Sequence, residues 1–178
     1  MLVTNTGTLG GNGVIGGPVT IASGGNLRPG FNGVGALTLT NGLTLTNGST
    51  TTFFITDTNN YTSLNIQGGI VNYGGVLRLD LTSYVPNAGD VFALFSSWGG
   101  GATNANDFTN VYAIGNSFSF TDANGVWTGT DSNGFTYQFS GPTGALSVLA
   151  VPEPSDFALF GLSAVALVAT YRSRRKVS

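Results

Sequence analysis

The feature that most constrains this chain is an alternation of aliphatic and polar residues in short runs, each stopped by glycine. Leu37-Thr38-Leu39-Thr40 runs into Asn41-Gly42, Leu43-Thr44-Leu45-Thr46 into Asn47-Gly48, and Leu64-Asn65-Ile66-Gln67 into Gly68-Gly69. Successive side chains of a strand point to opposite faces, so a period of two puts each Leu and Ile on one buried face and Thr and Asn on the other. Before Pro152 no run of ten residues carries helical periodicity, which predicts an all-β body. Glycine is 28 of 178 residues, without the strict triplet of collagen, as many sharp corners between short strands require.

Many short strands with one apolar face can be buried in a two-sheet sandwich or in a solenoid whose coils stack. The runs starting at 19, 37, 43, 64 and 76 are unevenly spaced, but gaps of about one coil length recur, and this favours the solenoid. The expected fold is a right-handed parallel β-helix (β-solenoid) over residues 1–84, a β-rich C-terminal cap over 85–150 in the same domain, and one C-terminal transmembrane helix. In the cap region aromatic residues become frequent, with strands expected at 91–95, 118–120, 135–139 and 146–148 and a flexible stretch around Trp98.

The order of motifs from Gly7 to Tyr84 resembles the autotransporter-associated β-strand repeat region of secreted bacterial passenger proteins. It is carried by Gly7-Thr8-Leu9-Gly10-Gly11-Asn12-Gly13, Val19-Thr20-Ile21-Ala22-Ser23-Gly24-Gly25, Arg28-Pro29-Gly30, Leu37-Thr38-Leu39, Leu43-Thr44-Leu45, and Tyr61 to Ile66 with Gly74-Gly75-Val76-Leu77-Arg78-Leu79. The resemblance implies an extended parallel β-helix.

The last 27 residues have a different composition. Pro152-Glu153-Pro154 is followed by Ser155 and Asp156, then by an uncharged apolar run over 157–171, and the chain closes with Arg172, Arg174, Arg175 and Lys176. Fifteen helical residues cover ~22 Å of a ~30 Å hydrocarbon core, with Tyr171 and the snorkelling bases extending the reach. The acids at the start and the bases at the end suit the helix macrodipole. The positive-inside rule keeps the tail cytoplasmic and the body outside.

This segment resembles the PEP-CTERM sorting signal of Gram-negative and related bacteria, from Pro152 to Lys176. The resemblance implies that Pro152, Glu153 and Pro154 are the recognition motif of an exosortase, a membrane-embedded cysteine-dependent enzyme. Arg172, Arg174, Arg175 and Lys176 would be the membrane stop. The expected location is the inner membrane first, through 157–171, and then the cell surface or the medium. A sorted protein should also carry a signal peptide, and residues 1–7 are not one. The expectation is therefore a C-terminal part of a longer passenger, a misassigned start or truncated gene, or an unconventional or non-functional export route.

The body keeps only Arg28 and Arg78 against Asp57, Asp80, Asp90, Asp107, Asp122 and Asp131, a balance with no footprint for nucleic acid. There is no cysteine and no histidine, so a disulfide framework, a thiolate metal site and a Ser-His-Asp arrangement are all excluded. Arg78 and Asp80, two apart on one strand, read as a surface contact. Asp122-Ala123-Asn124-Gly125 and Asp131-Ser132-Asn133-Gly134 resemble fragments of calcium loops but read better as turns. Asn47 and Asn60 head N-glycosylation acceptor patterns, which carry little weight in a bacterium.

Trp98 and Trp127 with Tyr61, Tyr73 and Tyr112 could form a sugar-stacking platform, although packing of the cap explains them better. The functional expectation is a non-enzymatic surface or matrix protein without cofactor or metal, acting as spacer or adhesin, with extracellular polysaccharide as a partner besides the exosortase. Two alternatives stay open. One is a glycan-binding module; the other is a polysaccharide-degrading enzyme whose aspartates converge from separate coils.

Overall fold

The computed structural model describes residues 1–32, 34–96, 103–115 and 117–150. Among the described residues twenty strands fall into four sheets. The first sheet holds β1 (Leu2–Val3), β4 (Val19–Ile21), β7 (Leu43–Leu45), β10 (Ile70–Asn72) and β14 (Thr103–Ala105), all parallel. The second holds β3 (Gly13–Ile15), β6 (Gly35–Leu39), β9 (Thr62–Ile66) and β13 (Phe95–Ser96), also parallel. The third runs through β2 (Thr8–Gly11), β5 (Asn26–Pro29), β8 (Thr50–Phe54), β11 (Val76–Asp80) and β15 (Asn110–Ile114) in parallel. It ends in an antiparallel strand, β16 (Phe118–Ser119).

The fourth sheet is antiparallel throughout, in the order β12 (Val91–Ala93), β20 (Ala145–Leu149), β19 (Thr136–Ser140), β18 (Val126–Thr130) and β17 (Thr121–Ala123).

The fold class expected from sequence is corrected by this topology. The described residues form a mixed all-β architecture of parallel and antiparallel sheets rather than a parallel solenoid with a terminal cap and a helix, and none of them is helical. The physical reason lies in the turns. Asp122 to Gly125, Asp131 to Gly134 and Ser140 to Gly144 are short enough to join neighbouring strands directly, and only antiparallel strands can be joined that way.

No described helix is long and apolar enough to cross a membrane. The transmembrane helix expected over 157–171 lies outside the described residues, and the inner-membrane placement that depended on it is corrected accordingly: no described element carries it.

The alternation read from sequence does select the core. Leu37, Leu39, Leu43, Leu45, Leu64, Ile66, Leu77, Leu79 and Leu81 are all buried. Parallel pairing puts like on like: Val19 faces Leu43 and Leu43 faces Val71, Leu39 faces Ile66, and Leu77 faces Val111. Each such aliphatic side chain contributes about 1.5–3 kcal/mol on burial.

One hydrophobic cluster joins the parallel ladders to the antiparallel sheet. At the junction Phe95 meets Phe53 edge-on at 5.1 Å and Tyr73 at 5.0 Å, and Tyr73 stacks on Phe108 at 4.7 Å. Phe139 of the antiparallel sheet closes the group, 5.9 Å from Phe108 and 6.2 Å from Phe95.

Candidate functional site

The carboxylates of the body are turn and loop anchors. Asp57 Oδ1 accepts the backbone N–H groups of Asn59 and Asn60, and both its oxygens accept from the Asn60 side chain. Those bonds, the Asn60 side chain foremost, hold its carboxyl below the ordinary range. Asp122 accepts the N–H of Gly125, and the turn passes through Asn124 at φ 57°. Asp131 is buried and accepts from the N–H groups of Asn133 and Phe135. Asp90 takes the Tyr84 hydroxyl at 2.6 Å, and Asp107 takes the N–H of Phe108 and the indole N–H of Trp127.

The two fragments that resembled calcium loops are therefore turns built on their own carboxylates. Among the described residues no group of three or more His, Cys, Asp or Glu is arranged to hold a metal ion.

Arg78 and Asp80 alternate with buried Leu77 and Leu79 on β11, as their spacing requires, but they form no ion pair. Asp80 Oδ1 accepts instead from the backbone N–H and the hydroxyl of Thr82. The Nε of Arg78 is buried and has no hydrogen-bond partner.

The five aromatic residues of the suggested sugar platform are not brought together as an open surface. Trp127 and Tyr73 are buried, Tyr61 packs edge-on against Phe92 at 5.4 Å, and Trp98 lies outside the described residues. Tyr61 is only partly buried, and Tyr112 is partly open on the outer face of β15, beside Arg78 in register. Pro152, Glu153, Pro154, Arg172, Arg174, Arg175 and Lys176 also lie outside the described residues.

The structure instead reveals a groove on the outer face of the third sheet, about 530 Å³ in volume. Its floor is Gly10 and Gly11 of β2. A side chain at position 10 would place its Cβ 2.6 Å from the carbonyl oxygen of Arg28, so only glycine allows β2 and β5 this contact. Gly11 and Gly30 exchange backbone hydrogen bonds at 3.0 and 3.1 Å. Beyond them a turn closed by the Phe31 and Val34 bridge passes through Asn32 at φ 51° and projects Phe31 outward, 66% exposed.

The opposite wall is Arg28, whose guanidinium carbon lies 4.9 Å from the centroid of the Phe54 ring. That contact fixes the cation over an aromatic face. No carboxylate among the described residues pairs with it.

In the sequence Arg28 stands out as a repeat position and a charge, while Phe31, Asn32 and Phe54 carry no signal of their own. One signal was available, since Arg28 is one of two bases in a body of 150 residues. Nothing local showed that Phe54, 26 positions later, would lie beneath it.

No family model matches this chain, and no curated protein matches it.

Proposed function

We propose that this protein is a non-enzymatic structural or adhesive component of an extracellular matrix, delivered by an exosortase that recognises Pro152, Glu153 and Pro154. The observation that supports a structural rather than catalytic role is the use made of the acids. Each of the six aspartates of the body accepts hydrogen bonds within a turn or loop or, for Asp107, from a buried indole. General acid–base work or a glycosidic displacement needs a carboxylate free to face substrate, and usually two of them. A carboxylate that holds a turn or loop through these bonds is aimed at its own backbone.

The stacked strands supply what a spacer or adhesin needs: a body stiffened by repeated ladders, with outward Thr, Asn and Ser. The order of the tail, a Pro-Glu-Pro motif, an apolar run and a basic terminus, supports sorting through it. The test is release of the protein by native cells after replacing Pro152, Glu153 and Pro154 together by alanine, with mass spectrometry of the mature C-terminus. The expected result is normal synthesis, a C-terminus near Pro152 in the wild-type medium and little variant outside the cells. Release of the variant at the wild-type level overturns the delivery route.

A further inference from the structure

We propose that the groove between Arg28 and Phe31 is a binding site for a carboxylated sugar, a uronic acid unit of an acidic polysaccharide. Three features of the groove specify that chemistry. The first is the cation. Arg28 is held over Phe54 and has no acceptor for its N–H groups among the described residues. A guanidinium presents a planar fork of donors that matches a carboxylate bidentately, and its cost of ordering is reduced when an aromatic ring already holds it.

The second is the pair of surfaces on either side. Phe31 is a large aromatic side chain, 66% exposed, on a turn whose backbone is pinned by the Phe31 and Val34 bridge. An aromatic face beside a cation suits a ring with one apolar face and one charge. Asn32, exposed beside it, can both donate to and accept from hydroxyl groups.

The third is charge density. The only other base of the body, Arg78, faces outward on the same sheet, opposite Thr52 in register. On the other side of β8, Asn26 lies opposite Thr50 and Leu27 opposite Thr51, and Arg28 is the next residue along β5. The strands that carry the two arginines therefore stand about 10 Å apart, two inter-strand steps of ~4.8 Å.

Two widely spaced cations on an otherwise acidic body do not fit a nucleic acid or a densely phosphorylated polymer, which depend on many bases. They fit a polymer of rings bearing well-separated carboxylates. Tyr112, next to Arg78 in the same row, borders a second groove of about 280 Å³ and lengthens the strip along which such a chain would lie.

This inference draws on the extracellular role only for where the polymer is met, and binding in vitro is independent of how the protein is delivered. The test is affinity electrophoresis of the full chain in gels containing polygalacturonate, dextran or polyglutamate, with a chelator present so that no bridging cation contributes. Because the four bases of the tail would also bind a polyanion, the protein used has Arg172, Arg174, Arg175 and Lys176 each replaced by Gln.

Polygalacturonate is expected to retard the protein while dextran and polyglutamate do not. Arg28→Gln should weaken retardation tenfold or more, and Phe31→Ala and Arg78→Gln several-fold, all three with unchanged circular dichroism and melting temperature. Equal retardation of the Arg28→Gln protein, no retardation by polygalacturonate at low salt, or equal retardation by dextran or polyglutamate each overturns the proposal. Failure here leaves the delivery experiment unaffected, so the two readings fall separately.

Discussion

The indole N–H of Trp127 donates to Asp107 Oδ1 at 2.9 Å, and this bond ties the antiparallel sheet to the loop that leads into β15 of the parallel ladder. The same oxygen accepts the N–H of Phe108, whose ring belongs to the junction cluster. Asp107→Ala leaves the buried indole donor and a backbone donor unpaired at once. The expected loss is about 1–3 kcal/mol of unfolding free energy. Asp107→Asn, which keeps an acceptor, should lose less. Urea unfolding followed by tryptophan fluorescence measures both.

Phe95 touches Phe53, Tyr73, Phe108 and Phe139, so its ring is shared by the ladders and the antiparallel sheet. Phe95→Ala opens a cavity that rigid strands on both sides cannot close. A loss of about 3–5 kcal/mol is expected. If the two parts unfolded independently the variant would show two transitions in calorimetry; a single, lower transition is expected from the continuous core.

Gly74 lies where the chain enters β11 beneath the end of β7. An added Cβ would stand 2.2 Å from the carbonyl oxygen of Leu45, a backbone atom that cannot swing aside. Gly74→Ala should cost about 1–3 kcal/mol or more through displaced backbone. Gly13→Ala, at a position with nothing within 4 Å, serves as the control and should leave the melting temperature nearly unchanged.

Three tyrosines predict the alkaline limit. Burial is the leading cause that holds the hydroxyls of Tyr73, Tyr84 and Tyr137 protonated well above the ordinary tyrosine range. The charge of Asp107 adds to it for Tyr73, the hydrogen bond to Asp90 for Tyr84, and the charge of Asp131 for Tyr137. Because the folded values are raised, the unfolded chain releases these protons first, near pH ~10. Their contribution is therefore complete below that value and is lost as pH rises above it, by up to about 1.4 kcal/mol per pH unit for Tyr73. Asp57 has the opposite sign: its lowered carboxyl favours the folded state above the ordinary aspartate range and that contribution is lost as pH falls. Melting temperature measured from pH 7 to 11.5 should be level to about 10 and then fall steeply, and Tyr73→Phe should soften the fall.

Much of the strand content was legible because a period of two is a local property. Leu43 and Leu45 are buried with Thr44 between them for the same reason that the letters alternate. The strand expected over 91–95 was found divided, with Val91–Ala93 pairing in the antiparallel sheet and Phe95–Ser96 in a parallel one. Alternation marks the faces of a strand and is silent about its neighbour.

By itself the sequence determined an all-β body, the inward positions of its aliphatic runs and the use of Asp122 and Asp131 as turn residues, since each follows from a few adjacent residues. Only the tertiary structure decided which strands pair and in which direction, that Trp127 is enclosed, and that Arg28, Phe31 and Phe54 border one groove. Those outcomes depend on contacts between residues far apart in the chain. A ladder brings position 28 beside position 54 only after the intervening strands have taken their places, and no local pattern encodes that sum of lengths.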